Sequence, residues 1–414
     1  MITLNKNFIS GFFERNLFER LIVYIFLSEL AVKLIFELAL GQWSFKQSQN
    51  TQWIFYGFLA ADYLISVRKV MNIRFTLNPM SAVAFLFVVM IAHGTLVGVL
   101  NHNPPFVIFN DFIPPLMIVL NILRMQSTYE NNKPIDVRFL LAFCTAVALS
   151  TTLIGFLCMQ IGLPSEPSVG RGQIFFPLVL STLFVMRPFP RWIAFSLPLI
   201  FLLTATELNR TSISFLIIVI GGYSSLQIVR NPAKGVLLIV MLCIVISLAV
   251  AFMPKDSGTY RRISGLSEID LSERTGSIGE RQAEWDAIKA KLADKGKTAE
   301  WTGLGFGGLY NVRFTHQYNT NYGHAHYIWA WFNMRFGKIG YIYMALMMSA
   351  LVYNTARGLF MGSDLGLFVS FLNLIGLIYC MTHVNSLFLL SGLNFLHLAS
   401  TGQKLKPALP GYNR

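Results

Sequence analysis

MSAVAFLFVVMIAHGTLVGVL, residues 80 to 100, contains no Asp, Glu, Lys or Arg. As a helix it is long enough to cross the hydrocarbon core of a bilayer. Similar apolar runs recur from residue 21 to residue 400, so the bilayer acts as solvent and helices satisfy the backbone polar groups. Composition agrees. Hydrophobic residues make up 54% of 414 positions and charged ones only 13%, against about a quarter in a soluble domain. The reading is an all-α, polytopic integral membrane protein of about twelve transmembrane helices with one large, partly helical outer loop.

Spans are expected near 21–40, 52–67, 80–100, 105–123, 139–162, 172–186, 192–206, 211–228, 233–253, 339–355, 365–381 and 384–400. The first residues, MITLNKNFISGFFERNLFER, show no small-residue cleavage site and read as an amphipathic cytoplasmic lead. With the N-terminus inside, cytoplasmic segments carry 17 Lys and Arg and the short outer loops only Lys46, Arg171 and Arg210. The positive-inside rule then places both termini in the cytoplasm of an inner-membrane protein. The net charge of +13 is thus accounted for by topology, without nucleic acid. The four Cys lie in apolar runs without CxxC spacing and read as core residues.

The chain divides into spans 1 to 9 over 1–253, an outer loop over 254–338, spans 10 to 12 over 339–400 and a cytoplasmic tail over 401–414. Within the loop, GSIGERQAEWDAIKAKLADKG has helical marks: Ser277 and Glu280 at capping-box spacing, and Gly296 as a stop. Trp285, Ile288 and Leu292 share one face, and Arg281 lies on it, pointing toward the membrane domain. A snorkelling Arg281, or a surface pair with Glu284, is the plainer alternative. The motif GLGFGG, residues 303–308, follows no strand and reads as a tight turn near the membrane surface. Tyr327, Trp329, Trp331 and Phe332 suit an interfacial helix feeding the tenth span. His316, His324 and His326 share this stretch, but an HxH pair without a nearby third Cys or carboxylate is a poor metal site.

Arg210 sits between two spans joined by a few residues, where its structural partner would be Glu207. Arg171, in EPSVGRGQ, reads as a solvated loop residue. Lys33 with Glu29 and Glu37 reads as mutual neutralisation along the first span. Two arginines and a histidine at one outer-leaflet site, without a carboxylate cluster, point to a phosphate ligand. Guanidinium groups hold diphosphate oxygens, and a neutral imidazole takes a proton from an attacking hydroxyl.

These residues carry a resemblance to the O-antigen ligase and polymerase family of bacterial envelope glycosyltransferases. His326 and Tyr327 are followed by IWAWFNMRF and then Gly337, Lys338, Ile339 and Gly340, which resembles the family's His signature, with Tyr327 where an amide or Ser is usual. Arg281, Trp285 and Gly303 to Gly305 resemble its Arg, Trp and Gly-x-Gly pattern, and Arg210 with Thr211 its short-loop Arg. The resemblance implies an inverting, metal-independent, cofactor-free transfer of a glycan from undecaprenyl diphosphate to an acceptor hydroxyl at the periplasmic face. His326 would act as base or orient the acceptor, and Arg210 and Arg281 would bind the diphosphate. Arg171, Arg313, His324 and Tyr327 are second-rank candidates.

A ligase acting on lipid A core is favoured over an O-antigen or exopolysaccharide polymerase, because one outer loop dominates. A secondary transporter is the rival from another class, opposed by the lack of repeated halves and by few acids within spans.

Overall fold

The computed structural model describes residues 11–32, 47–70, 79–127, 133–160, 276–313, 318–323, 325 and 327–360, with scattered positions in 232–247 and 366–373. They are 83% helical. The chain splits into two compact units, one of Met1–Ser66, Lys133–Ile269 and Lys404–Arg414, the other of Val67–Asn132 and Asp270–Gln403.

The first unit contains α1 (Leu17–Val32), most of α2 (Gln47–Val70) and α5 (Val137–Gln160). Several of its buried polar side chains are paired. Arg20, fully buried, meets Asp62 at 3.2 Å, and its guanidinium also donates to the carbonyls of Phe13 and Arg15. Asn16 donates to the Lys133 carbonyl at 2.8 Å, and the Asp136 amide donates to Glu19 at 2.6 Å, tying α1 to the start of α5. Stacked Tyr24 and Phe58, and edge-on Phe26 and Phe143, fill the space between helices.

The second unit is built on α3 (Pro79–Leu100) and α4 (Pro105–Met125), joined by a turn in which His102 adopts φ 55°. Pro105 opens α4 at a position where a helix has no use for its missing N–H. The outer-loop stretch supplies α6 (Gly276–Asp294), α7 (Lys297–Thr302), an antiparallel hairpin of β1 (Tyr310–Arg313) and β2 (Tyr318–Tyr322), and α8 (Ile328–Phe360). The two-stranded hairpin is a small β element in an otherwise helical unit. Tyr310 and Val312 alternate inward with Asn311 and Arg313 outward, a period of two that seats one face on a core.

Among the described residues, three helices are long and apolar enough to cross a membrane, over Ala82–Leu100, Pro105–Met125 and Ile328–Gly358. Phe85, Leu96, Val99, Phe106, Ile342 and Leu346 stand exposed along them. In water such a surface would drive association, whereas lipid satisfies it. The aromatic stretch from Ile328 is itself helical and precedes the expected span from 339. A break at Gly337, φ 59° and ψ −145°, separates the two segments of α8. The expected spans at 172–186, 192–206, 211–228 and 384–400 lie outside the described residues, as do most of 233–253 and 365–381.

Candidate functional site

Helix α6 runs over nearly the residues that its capping and stop signals mark. Gly296 ends it with φ 91°, its amide donating to the Ala293 carbonyl at 3.0 Å. Ile288 and Leu292 are buried in a core with Leu304, Tyr310, Val312, Ala330 and Met334. The apolar face therefore meets the hairpin and the aromatic first segment of α8. Glu284, which spacing would pair with Arg281, is only 1% exposed.

Arg281 is half-buried, and its guanidinium carbon lies 5.7 Å from the centroid of the Tyr327 ring. Tyr327 stacks in turn on Trp329, with centroids 4.3 Å apart and planes within 21°. A cation above an aromatic face is attracted by the ring quadrupole, and Tyr327 contacts both Arg281 and Trp329. The first contact brings together two of the residues singled out by sequence, Arg281 and Tyr327. Arg313 does not join them: it faces outward at the end of β1. His316, His324, His326, Arg171 and Arg210 lie outside the described residues. Among the described residues no three His, Cys, Asp or Glu side chains are grouped as metal ligands.

The two glycine motifs are in contact. The Leu304 amide donates to the Met334 carbonyl at 2.8 Å and the Gly305 amide to the Arg335 carbonyl at 3.1 Å. A side chain at Gly303 would collide with the backbone of Arg335 and Phe336, and one at Gly337 with Trp301, Glu300 and Gly303. Both glycines also have positive φ, 79° and 59°, with extended ψ, a region almost confined to Gly that costs other residues about 1–3 kcal/mol. Residues 303–308 thus form a loop pinned to its neighbours. Phe306 is fully buried over Gly94 and Gly98 of α3, and Asn103 donates to the carbonyls of Leu304 and Phe306 at 2.7 and 2.8 Å.

Sequence reasoning missed two residues at the centre of this unit. Asp111 on α4 and Arg335 on α8 pair at 2.8 Å, with side chains 18% and 1% exposed. Their signal was present: each is a charged residue within a stretch otherwise apolar enough to span.

Burial, with Glu284 close by, pushes the hairpin phenols up. Tyr322 rises to about 12 and Tyr310 further still. Both stay neutral over any ordinary pH range and act here as packing and hydrogen-bonding groups.

Beside the turn between α3 and α4 is an open cleft of about 610 Å³, lined by Thr95, Val99, Ile108, Phe109 and Phe112 among others. No protein-family model matches the chain, and no curated protein matches it either.

Proposed function

We propose that the chain is an inverting, metal-independent glycosyltransferase of about twelve spans, acting on an undecaprenyl-diphosphate-linked glycan at the periplasmic face of the inner membrane. The observation that carries the reading is the stack of Arg281 on Tyr327. It places one guanidinium of the sequence motif against the residue that follows His326 in the chain. The hydrogen bonds between residues 304–305 and 334–335 support it further, because they join the two motif segments that sequence alone could only set side by side.

In this reading the acceptor hydroxyl is oriented by His326, which takes its proton as the oxygen attacks the anomeric carbon. The bond from that carbon to the diphosphate oxygen breaks on the opposite side, and undecaprenyl diphosphate leaves. Arg281 and Arg210 stabilise the negative charge growing on the leaving group, where a fixed cation needs no reorganisation. The apolar cleft beside the turn between α3 and α4 suits the isoprenoid tail. Asp62 and Asp111, acids within expected spans, are each paired with an arginine, which favours an enzyme over a proton-relaying transporter.

Within that chemistry we favour a ligase acting on lipid A core over a polymerase. Deletion of the gene tests this choice. Long lipid-linked polymer should accumulate while lipopolysaccharide loses its polymer, whereas accumulation of single repeats would identify a polymerase.

A further inference from the structure

Arg335 sits in the first segment of α8 with its side chain 1% exposed. An arginine there is costly unless its charge is answered, and here the two terminal nitrogens, not the buried Nε, find partners. Its Nη1 donates to the Gly308 carbonyl at 2.6 Å, and its Nη2 donates to the Gly323 carbonyl at 2.7 Å and faces the Asp111 carboxylate at 2.8 Å. Gly308 lies just before β1 and Gly323 just after β2. One planar guanidinium therefore spans the base of the hairpin, holding the entering strand with one nitrogen and the leaving strand with the other. Asp111 closes the arrangement from α4, because its Oδ2 also accepts the Gly307 amide at 2.6 Å.

An apolar side chain would fill this volume as well, so packing does not call for a guanidinium here. What the pair supplies is direction. Two carbonyls and an amide of the glycine loop and hairpin are aimed at fixed points on two helices. A lysine would supply the charge at a single nitrogen and could not span the two carbonyls in the same way.

We propose that Arg335 and Asp111 are positioning residues. They clamp the hairpin base and the 303–308 loop onto α4 and α8, and so fix where the chain from Gly323 delivers Tyr327 beneath Arg281. The effect on transfer rests on the glycosyltransferase reading, whereas the clamp itself does not.

The test uses the full chain in lipid nanodiscs, comparing wild type with Arg335→Lys and Asp111→Asn. Hydrogen exchange is followed across residues 307–323, alongside glycan transfer from an undecaprenyl-diphosphate-linked donor. Loss of a charge-assisted hydrogen bond should speed exchange in the hairpin about 10- to 100-fold in both variants, with α3 and α6 unchanged. The kcat should fall by a similar factor while KM for the donor holds. If Arg335→Lys does not insert, Asp111→Asn carries the comparison alone, since it keeps an acceptor oxygen for the Gly307 amide and removes only the charge. Unchanged hairpin exchange would overturn the clamp, and faster exchange with wild-type kcat would overturn the positioning role. A wild-type protein that transfers no glycan would contradict the proposed function instead, leaving the exchange data to decide the clamp.

Discussion

The guanidinium of Arg281 lies over the ring of Tyr327 at 5.7 Å, joining a helix of the outer-loop stretch to the residue just ahead of α8. The cation is attracted by the ring quadrupole, and a planar guanidinium also carries a fork of N–H donors suited to an anion.

Arg281→Lys should therefore lower the transfer rate roughly 10- to 100-fold, the worth of a hydrogen bond to a charged group, while expression and melting temperature hold. Tyr327→Phe keeps the aromatic face and should stay near wild type, whereas Tyr327→Leu should fall with Arg281→Lys. Steady-state kinetics on the three purified variants check the pattern. Equal activity for Tyr327→Leu and Tyr327→Phe would show that the ring does not hold the arginine.

Gly337→Ala should be among the most damaging single-methyl changes in the chain. The positive φ with extended ψ at Gly337 costs a non-Gly residue about 1–3 kcal/mol, and the added carbon also meets the backbone of Trp301 and Gly303. Gly296 provides the control, since its φ of 91° is as unfavourable but open space surrounds it. Melting in detergent should show a clearly larger drop for Gly337→Ala than for Gly296→Ala. Equal drops would mean that the close approach of residues 301–303 does not matter.

Alkaline pH should weaken the hairpin selectively. Burial holds Tyr322 at about 12 against an ordinary 10.0, so the folded state keeps a proton that the unfolded state gives up. Stability is intact below about 10 and declines as pH rises through about 12. Tyrosinate absorbance followed with melting temperature should show that decline, and Tyr322→Phe should make it shallower, with Tyr310 supplying the remainder. Parallel declines in the two proteins would remove Tyr322 as its source.

Local signals carried far in this sequence. The apolar run 80–100 and Pro105 mark α3 and α4 to within a few residues, because length and proline chemistry act within one segment. Gly296 stops α6 for an equally local reason. The Asp111 to Arg335 and Arg20 to Asp62 pairs were not legible, since each joins residues far apart in sequence and no spacing rule connects them. Arg20 counts as one of the cytoplasmic charges, and Arg335 falls without comment among the nine residues between Tyr327 and Gly337. The hairpin was missed because its short strands lie in a stretch rich in Gly and Asn, where turn chemistry masks a two-residue period.

The most direct test of the account is transfer by purified protein, with a defined undecaprenyl-diphosphate-linked donor, an acceptor and excess chelator, read as release of undecaprenyl diphosphate. Wild type should turn over undiminished by the chelator, and His326→Ala should lose roughly two to four orders of magnitude in rate while still binding the donor. Near-normal transfer by His326→Ala, or loss of wild-type activity in chelator, would contradict it.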